Sequence, residues 1–293
     1  MTAIVIGVLL LVSAVISVSA DTYYEYYGYF YTYINNSSVS LADWDNRSPE
    51  LIIPAELNHR AVVSIKNTAF YQNSTITSVD FSQASNLKRI GSNAFFGCKS
   101  INTEIILPDS LENIDNCAFQ ECENLPKVTV NTGLKVITNQ CFYQCSSLTE
   151  AVLPDTIETI QPWAFADCPS LEYVNIPQSV SSINVTSFSG DENLTLGVWY
   201  GSYGYEYAIE NGIDYTLLDG VKLGDASGDG SVNINDVTVI QRYLAELETL
   251  EGIYLHAADA NQDGTVDIAD ATIIQMYLAE YDMEYPIGEV MTQ

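Results

Sequence analysis

The stretch ITNQCFYQCSSLTEAVLPDTIETIQPWAFADCPSLEYVNIP runs from Ile137 to Pro177 and states one pattern twice. Phe142 and Phe165 each follow an Ile by five residues, Ile137 and Ile160, and each precedes a Cys by three, Cys145 and Cys168. Then comes a short alternating apolar run, Leu148-x-x-Ala151-x-Leu153-Pro154 and Leu171-x-x-Val174-x-Ile176-Pro177. Working outward, the Ile-x-x-x-(Ala)-Phe motif recurs at Ile65–Phe70, Ile90–Phe95, Ile114–Phe119 and Ile183–Phe188, giving Phe spacings of 25, 24, 23, 23 and 23. Alternation marks short strands, and Pro ends them because it cannot donate to a ladder. A unit this small cannot bury its own apolar face, but stacked units can. The pattern therefore predicts a mainly β solenoid of short parallel strands with a period of about 23 residues. Its six Phe contribute roughly 1.5–3 kcal/mol each if buried.

Six cysteines occur, Cys98, Cys117, Cys122, Cys141, Cys145 and Cys168. Four of them, Cys98, Cys122, Cys145 and Cys168, lie three residues after a repeat Phe and are expected to stack inside the solenoid as small buried hydrophobes. Cys117 and Cys141 take small-residue positions beside the Phe. A disulfide between adjacent rungs stays open, subject to Cβ geometry. The spacing is not that of a zinc site.

The chain has 293 residues with 38 Asp+Glu against 10 Lys+Arg, a net charge of −28. That balance argues against binding nucleic acid, which needs Lys and Arg on phosphates, and against docking on anionic membrane. A metal cation is the natural counter-charge. Residues 1–20 (MTAIVIGVLLLVSAVISVSA) read as a signal peptide cleaved after Ala20, with an apolar run from Ile4 to Ile16 and small residues at the cleavage site, although no Lys or Arg precedes the run. No other stretch is long and apolar enough to span a bilayer. A secreted protein, extracellular or in a cell-surface complex, with no membrane insertion after cleavage, is the expectation.

The motif AFxxC…LxxVxIPxSVxxI resembles the BspA-like (Treponema-type) leucine-rich repeat over roughly Tyr29–Leu218. Residues 43–65 look like that family's N-terminal opening unit and residues 194–218 like its closing cap. The resemblance implies an interaction module rather than an enzyme, taking a protein or glycan ligand.

A second pattern follows Gly220. Residues 225–236 read DASGDGSVNIND and residues 259–270 read DANQDGTVDIAD, 34 residues apart. Each places oxygen donors at loop positions 1, 3, 5, 7, 9 and 12 with Gly at 6, the arrangement by which a 12-residue loop wraps a hard Ca²⁺ ion. The first loop offers Asp225, Ser227, Asp229, the Ser231 carbonyl, Asn233 and Asp236. The second offers Asp259, Asn261, Asp263, the Thr265 carbonyl, Asp267 and Asp270. Position 12 is Asp where an ordinary EF-hand has Glu, and no amphipathic helix precedes the first loop. Each loop feeds a helix whose apolar positions recur at helical spacing, Val237, Ile240, Leu244 and Leu247, then Ala271, Ile274, Leu278 and Tyr281.

This duplicated loop–helix resembles a type I dockerin domain over about Val221–Tyr285. The resemblance implies a small all-α domain of two calcium loop–helix (EF-hand-like) units folded around two structural Ca²⁺ ions. It implies a cohesin module of a scaffolding protein as partner, in cellulosome-type complexes that degrade plant polysaccharide. The family's partner-contacting positions fall on Ile234, Asn235, Gln241 and Arg242, and on Ile268, Ala269, Gln275 and Met276. For Ile234 and Ile268 burial in the small core competes with partner contact.

No GxSxG, HExxH or P-loop occurs, and His59 and His256 read as surface residues. Tyr27, Tyr29, Tyr31 and Tyr33 alternate as if lining one strand face, and Trp199, Tyr200, Tyr203 and Tyr205 cluster near the closing cap. Capping of the solenoid ends is favoured over sugar stacking for both. The organisation read from the sequence is a signal peptide (1–20), a repeat solenoid with caps (21–218), a dockerin (219–285) and a tail (286–293). The function read from it is a secreted, non-catalytic binding protein tethered to a cohesin. An accessory polysaccharide hydrolase and a surface adhesin are the alternatives.

Overall fold

The computed structural model describes residues 16–18, 21–282 and 284–291. The signal-peptide reading of residues 1–20 lies outside the described residues except at 16–18, a strand paired antiparallel with Asp21–Tyr26. The chain divides into two compact units, Met1–Glu172 with Ser182–Asn193, and Tyr173–Ser181 with Leu194–Gln293.

The first unit is a β-solenoid. Its motif isoleucines form a ladder. Ile65, Ile90 and Ile114 stand opposite one another in parallel strands, and so do Ile137, Ile160 and Ile183. A second parallel column joins Ile105–Ile106, Lys127–Thr129 and Glu150–Val152, and its inward residues Ile105, Val128 and Ala151 are fully buried. Between the columns the motif Phe rings stack face to face. Centroids are 4.9 Å apart for Phe70–Phe95 and Phe95–Phe119, 5.6 Å for Phe119–Phe142, 5.4 Å for Phe142–Phe165 and 5.6 Å for Phe165–Phe188.

The turn that carries each Phe has a main-chain order that the side chains do not announce. Two residues per turn, two before and two after the Phe, adopt left-handed backbone. They are Thr68 and Gln72, Asn93 and Gly97, Cys117 and Glu121, Gln140 and Gln144, and Trp163 and Asp167. In consequence alternate N–H groups point along the solenoid axis. In the Phe119 turn the Cys117, Phe119 and Glu121 N–H groups donate to the Asn139, Cys141 and Tyr143 carbonyls of the next rung at 3.0, 2.9 and 2.8 Å. The Gln120 N–H between them and the Cys122 N–H that follows close back on the Cys117 and Phe119 carbonyls at 3.3 Å each. Buried main-chain groups must be paired, and this alternation pairs them without strand geometry.

Cys98, Cys122, Cys145 and Cys168 form the expected ladder. Each thiol donates to the Phe carbonyl of the preceding rung, at 3.0, 3.3, 3.3 and 3.2 Å. All six cysteines are free thiols, five buried and Cys117 half-buried. Burial pushes the Cys98 thiol up to about 12, and Cys122, Cys145 and Cys168 well above the usual range, so these are inert packing groups. Outside, Lys88–Glu112, Lys99–Glu123, Lys127–Glu150 and Lys135–Glu158 pair across one rung at 2.6–2.8 Å.

The N-terminal end is closed by an antiparallel meander of Asp21–Tyr26, Tyr29–Tyr33 and Ser38–Trp44, whose last strand joins Arg60–Ile65 in parallel. Tyr31 is fully buried, and the Tyr29 hydroxyl donates to the Ile52 carbonyl at 2.7 Å. Tyr27 departs from the expected alternation. It sits at the hairpin turn with φ 52° and is 61% exposed, because the chain reverses there and takes it out of the strand.

In the second unit Tyr173–Asn175, Thr195–Val198 and Asp214–Leu217 pair in parallel. Helix α1 (Tyr203–Asn211) lies between the last two strands in sequence, started by the Ser202 side chain and stopped at left-handed Gly212. Tyr205 is buried against Tyr200 and Tyr215, which makes it packing, while Tyr203 is exposed. Helices α2 (Ile234–Leu244), α3 (Gly252–Ala258) and α4 (Ile268–Leu278) follow. No helix of the described residues is long and apolar enough to cross a membrane.

Candidate calcium loops and docking face

α2 and α4 are both 11 residues long and begin at Ile234 and Ile268, so the duplication at 34 residues holds in three dimensions. Both start with the same device. Loop position 9, Asn233 or Asp267, is the N-cap, accepting from the Asn235 or Ala269 N–H at 2.8 or 2.6 Å. Loop position 12, Asp236 or Asp270, closes the capping box by accepting from the Asn233 or Asp267 N–H at 2.7 or 2.8 Å. The same carboxylates reach back across the loop to the Ser227 and Asn261 N–H groups at 2.9 and 3.2 Å. The shorter Asp at position 12 is thus the residue that ties loop entry to helix start.

At position 1, Asp225 accepts from the Gly228, Asp229 and Gly230 N–H groups at 2.9, 3.1 and 2.9 Å, and Asp259 from Asp263 and Gly264 at 3.1 and 2.8 Å. The position-6 residues Gly230 and Gly264 make the sharp turn at φ 86° and 92°, which a side chain would strain. At position 5 Asp229 accepts from the Ser231 N–H, and Asp263 from the N–H and hydroxyl of Thr265, at 2.9, 2.9 and 2.7 Å. Those Thr265 bonds, with one from Asn261, lower the Asp263 carboxyl below its ordinary range. Burial raises that of Asp270 against the pull of its N–H donors.

Asp225, Asp236, Asp259 and Asp270 are 2, 0, 7 and 0% exposed. Among the described residues none of the four forms an ion pair with Lys or Arg. Buried carboxylates without a cationic side chain are the environment a bound cation completes. Among the described residues no three Asp, Glu, His or Cys side chains already converge as a metal cluster. A full oxygen shell here would draw also on Ser227, Asn261 and the Ser231 and Thr265 carbonyls. The donor chemistry fits a hard divalent cation.

All eight positions expected to face a partner are exposed. Ile234 and Ile268 are 60 and 61% exposed, so the competing core placement is wrong for both. The inward residues are Val237 and Ile240 on α2 and Ala271 and Ile274 on α4, all 0–1% exposed. The predicted apolar stripes ran further, to Leu247 and Tyr281. The helices stop sooner because Glu246 and Glu280 turn left-handed at φ 56° and 59°, with Leu247 and Tyr281 N–H groups closing on Arg242 and Met276.

Two features escaped the sequence reading. α3 precedes the second loop, signalled only by the short run Ala257-Ala258. Residues 286–291, set apart as a tail, pair with the start of the domain. The Met291 N–H bonds the Val221 carbonyl at 3.1 Å, the Leu223 N–H bonds Glu289 at 2.9 Å and the Gly288 N–H bonds Leu223 at 2.9 Å. Ile287 and Met291 are 5 and 3% exposed, so the segment supplies core to a small domain that has little.

Two architectures are thus joined in one chain, a stacked repeat and a duplicated cation loop–helix. Residues 63–195 match the profile of the BspA type leucine rich repeat region in six copies, and residues 223–279 match the dockerin type I domain. The repeats are a BspA-type leucine-rich repeat region and the C-terminal part is a type I dockerin, both non-catalytic families; type I dockerins bind calcium. Among solved structures, the chain is similar to a leucine rich cell surface protein from Faecalibacterium prausnitzii A2-165, at 26% identity over 60% of this chain and 54% of that one, TM-score 0.46. It is similar to the T. pallidum leucine rich repeat protein, at 21% identity over 64% and 95%, TM-score 0.48. A leucine-rich repeat protein from Eubacterium ventriosum ATCC 27560 matches at 23% identity over 56% and 44%, TM-score 0.48. The chain thus spans about half the length of the first of these relatives, 54%. No curated protein matches the chain.

Proposed function

We propose that this chain is a secreted, non-catalytic adaptor. Its dockerin holds two Ca²⁺ ions and docks on a cohesin module of a scaffolding protein, while its repeats bind a protein or glycan during plant polysaccharide degradation. The observation that carries the reading is the duplicated loop–helix, with carboxylates buried at the first and last positions of each loop and Ile234, Asn235, Gln241, Arg242, Ile268, Ala269, Gln275 and Met276 exposed. Members of each set seven residues apart lie about two turns apart along a helix. The halves are unequal, Arg242 against Met276 and Asn235 against Ala269, and Arg242 is held by Glu248 at 2.8 Å. The α2 face therefore presents charge where the α4 face presents thioether, and one face dominates for a given cohesin. Calcium is structural, neutralising carboxylates that would otherwise be buried unpaired. Tethering raises the local concentration of the repeats near scaffold and substrate.

Calorimetric titration of the full chain with a panel of cohesin modules, in Ca²⁺ and in chelator, tests this. Tight binding to a cohesin in Ca²⁺ that disappears in chelator is expected. Calcium uptake with no binding across the panel would overturn the cohesin tether and move a surface adhesin ahead.

A further inference from the structure

The passage from the repeats into the dockerin is not built as a linker. Flexible connections between domains are exposed and rich in Gly, Ser and Pro. Residues 218–224 read LDGVKLG, and within them Val221 and Leu223 are 9 and 2% exposed. The cap of the repeats (194–218) and residues 219–293 also fall in one compact unit.

The C-terminal segment accounts for this. The strand Asp214–Leu217 is the last of the six-stranded sheet and pairs on one side with Thr195–Val198. Its other side is an edge, and edges need cover. There the Leu217 N–H donates to the Met291 carbonyl at 3.2 Å, while the next amide, that of Leu218, turns back to the Val198 carbonyl at 2.7 Å. Met291 gives its own N–H to the Val221 carbonyl at 3.1 Å. Its two main-chain groups thus span the joint, one on the closing strand of the cap and one on the start of the dockerin. Lys222 and Val290 form an antiparallel bridge beside it. On the cap side Asp219 accepts from the Tyr200 N–H at 3.0 Å, and the Tyr200 ring lies 6.0 Å from that of His256 in α3.

The seat of this segment belongs to the two loops. A Cβ on Gly224, the residue before position 1 of the first loop, would stand 3.0 Å from Ile287. A Cβ on Gly288 would stand 2.6 Å from the hydroxyl of Tyr277 on α4, the helix that the second loop starts. The Gly224 N–H also donates to the Ala257 carbonyl at 2.8 Å, two residues before Asp259 opens the second loop. Each surface that holds the segment is therefore positioned by a loop whose buried carboxylates call for a cation.

We infer that residues 286–291 are a splint, set by calcium, that fixes the dockerin to the closing strand of the cap. The inference rests on the calcium reading of the loops. It adds what the ions do beyond stabilising the small domain: they decide whether the cap turns with the dockerin or independently of it. A joint held by so few main-chain bonds persists only while its seat is ordered.

The test is residue-resolved amide exchange and ¹⁵N relaxation on the full chain. In Ca²⁺ the Leu217 amide should be protected, and the cap and dockerin should share one rotational correlation time. Free exchange at Leu217, or a separate, shorter correlation time for the dockerin, would overturn the splint. In chelator the Leu217 amide should exchange at least about tenfold faster, with Leu218, bonded within the cap, changed less than about twofold. Equal protection of Leu217 with and without calcium would overturn the part given to the ions. Gly288→Ala, in Ca²⁺, should release Leu217 to the same extent by pushing the segment off Tyr277, and unchanged protection would overturn that seat. Calcium titration of the same samples reports the underlying reading separately. No calcium uptake would overturn the control by ions, while the relaxation data still decide whether the joint is fixed.

Discussion

The Phe column and the dockerin loops reach order by opposite routes. From Phe70 to Phe188 the interior is apolar, its rings 4.9–5.6 Å apart, and its thiols are spent on carbonyls of the rung before. The dockerin buries four carboxylates, one at the first position of each loop and one in the first turn of each 11-residue helix, and four apolar side chains on the inner faces of those helices. One region is stabilised by what it removes from water. The other is incomplete without a counter-charge, and it recruits Ile287 and Met291 from beyond its last helix to enlarge its core. A repeat can be lengthened by adding rungs, whereas on the proposed reading a duplicated loop pair gains stability chiefly from the calcium it holds.

The largest expected break in that contrast comes from calcium. At a free ion concentration 1,000 times its Kd, a bound ion stabilises by about 4 kcal/mol. Chelation should therefore unfold α2 and α4, seen as lost helical circular dichroism and lost amide protection over 225–278, with the Phe turns still protected. Asp236→Ala and Asp270→Ala should each mimic chelation at their own loop, read by calcium titration.

Phe119→Ala attacks the other region. It deletes a ring stacked on both sides and should cost about 3–5 kcal/mol in denaturant unfolding, with calcium affinity unchanged. Deleting residues 286–293 should lower the calcium-loaded melting point of the dockerin, because two nearly buried side chains worth roughly 1.5–3 kcal/mol each leave with it. No change would mean the pairing with Val221–Leu223 is incidental.

A smaller effect concerns the rung at Phe188. Asp191 stands three residues after that Phe, where the four rungs before it have the ladder cysteine. One carboxyl oxygen accepts from the Cys168 N–H at 2.7 Å, and the other is buried without a partner. Burial, with Asp167 nearby, raises its pKa to about 8. The folded chain therefore keeps a proton that the unfolded chain releases near pH 4. The stability this supplies is complete below about pH 4 and is lost as pH rises through about 8. The stability of the unaltered chain relative to Asp191→Asn should fall over that window in parallel urea titrations; a pH-independent difference would show the carboxyl ionised throughout.

The smallest effect tests the turn order. Glu121 and Gln144 occupy the left-handed position that Gly97 fills in the Phe95 turn. Glu121→Gly or Gln144→Gly should stabilise by roughly 0.5–1 kcal/mol, since the relieved backbone strain exceeds the entropy glycine adds to the unfolded chain. Gly97→Ala should do the reverse, read in the same denaturant titrations.

What the sequence made legible follows from where each constraint is written. The Phe, Ile and Cys columns and the two loops are specified by side-chain identity, and they lie where their spacing places them. The left-handed alternation is carried by main-chain bonds between rungs. Its positions hold Thr68, Asn93, Cys117, Gln140 and Trp163 on one side of the Phe, with no shared chemistry to read. The helix ends were overrun at Leu247 and Tyr281 because the stop is a backbone reversal at Glu246 and Glu280, residues that are good helix formers. The pairing of 286–291 with 221–223 spans the whole domain and leaves only two apolar residues as a trace.

Differential scanning calorimetry of the full chain, in Ca²⁺ and then in chelator, tests the contrast most directly. Two transitions are predicted, with chelation lowering or abolishing the dockerin transition and leaving that of the Phe column within a degree or two. A single transition that moves as a whole, or two that both ignore chelation, would contradict it.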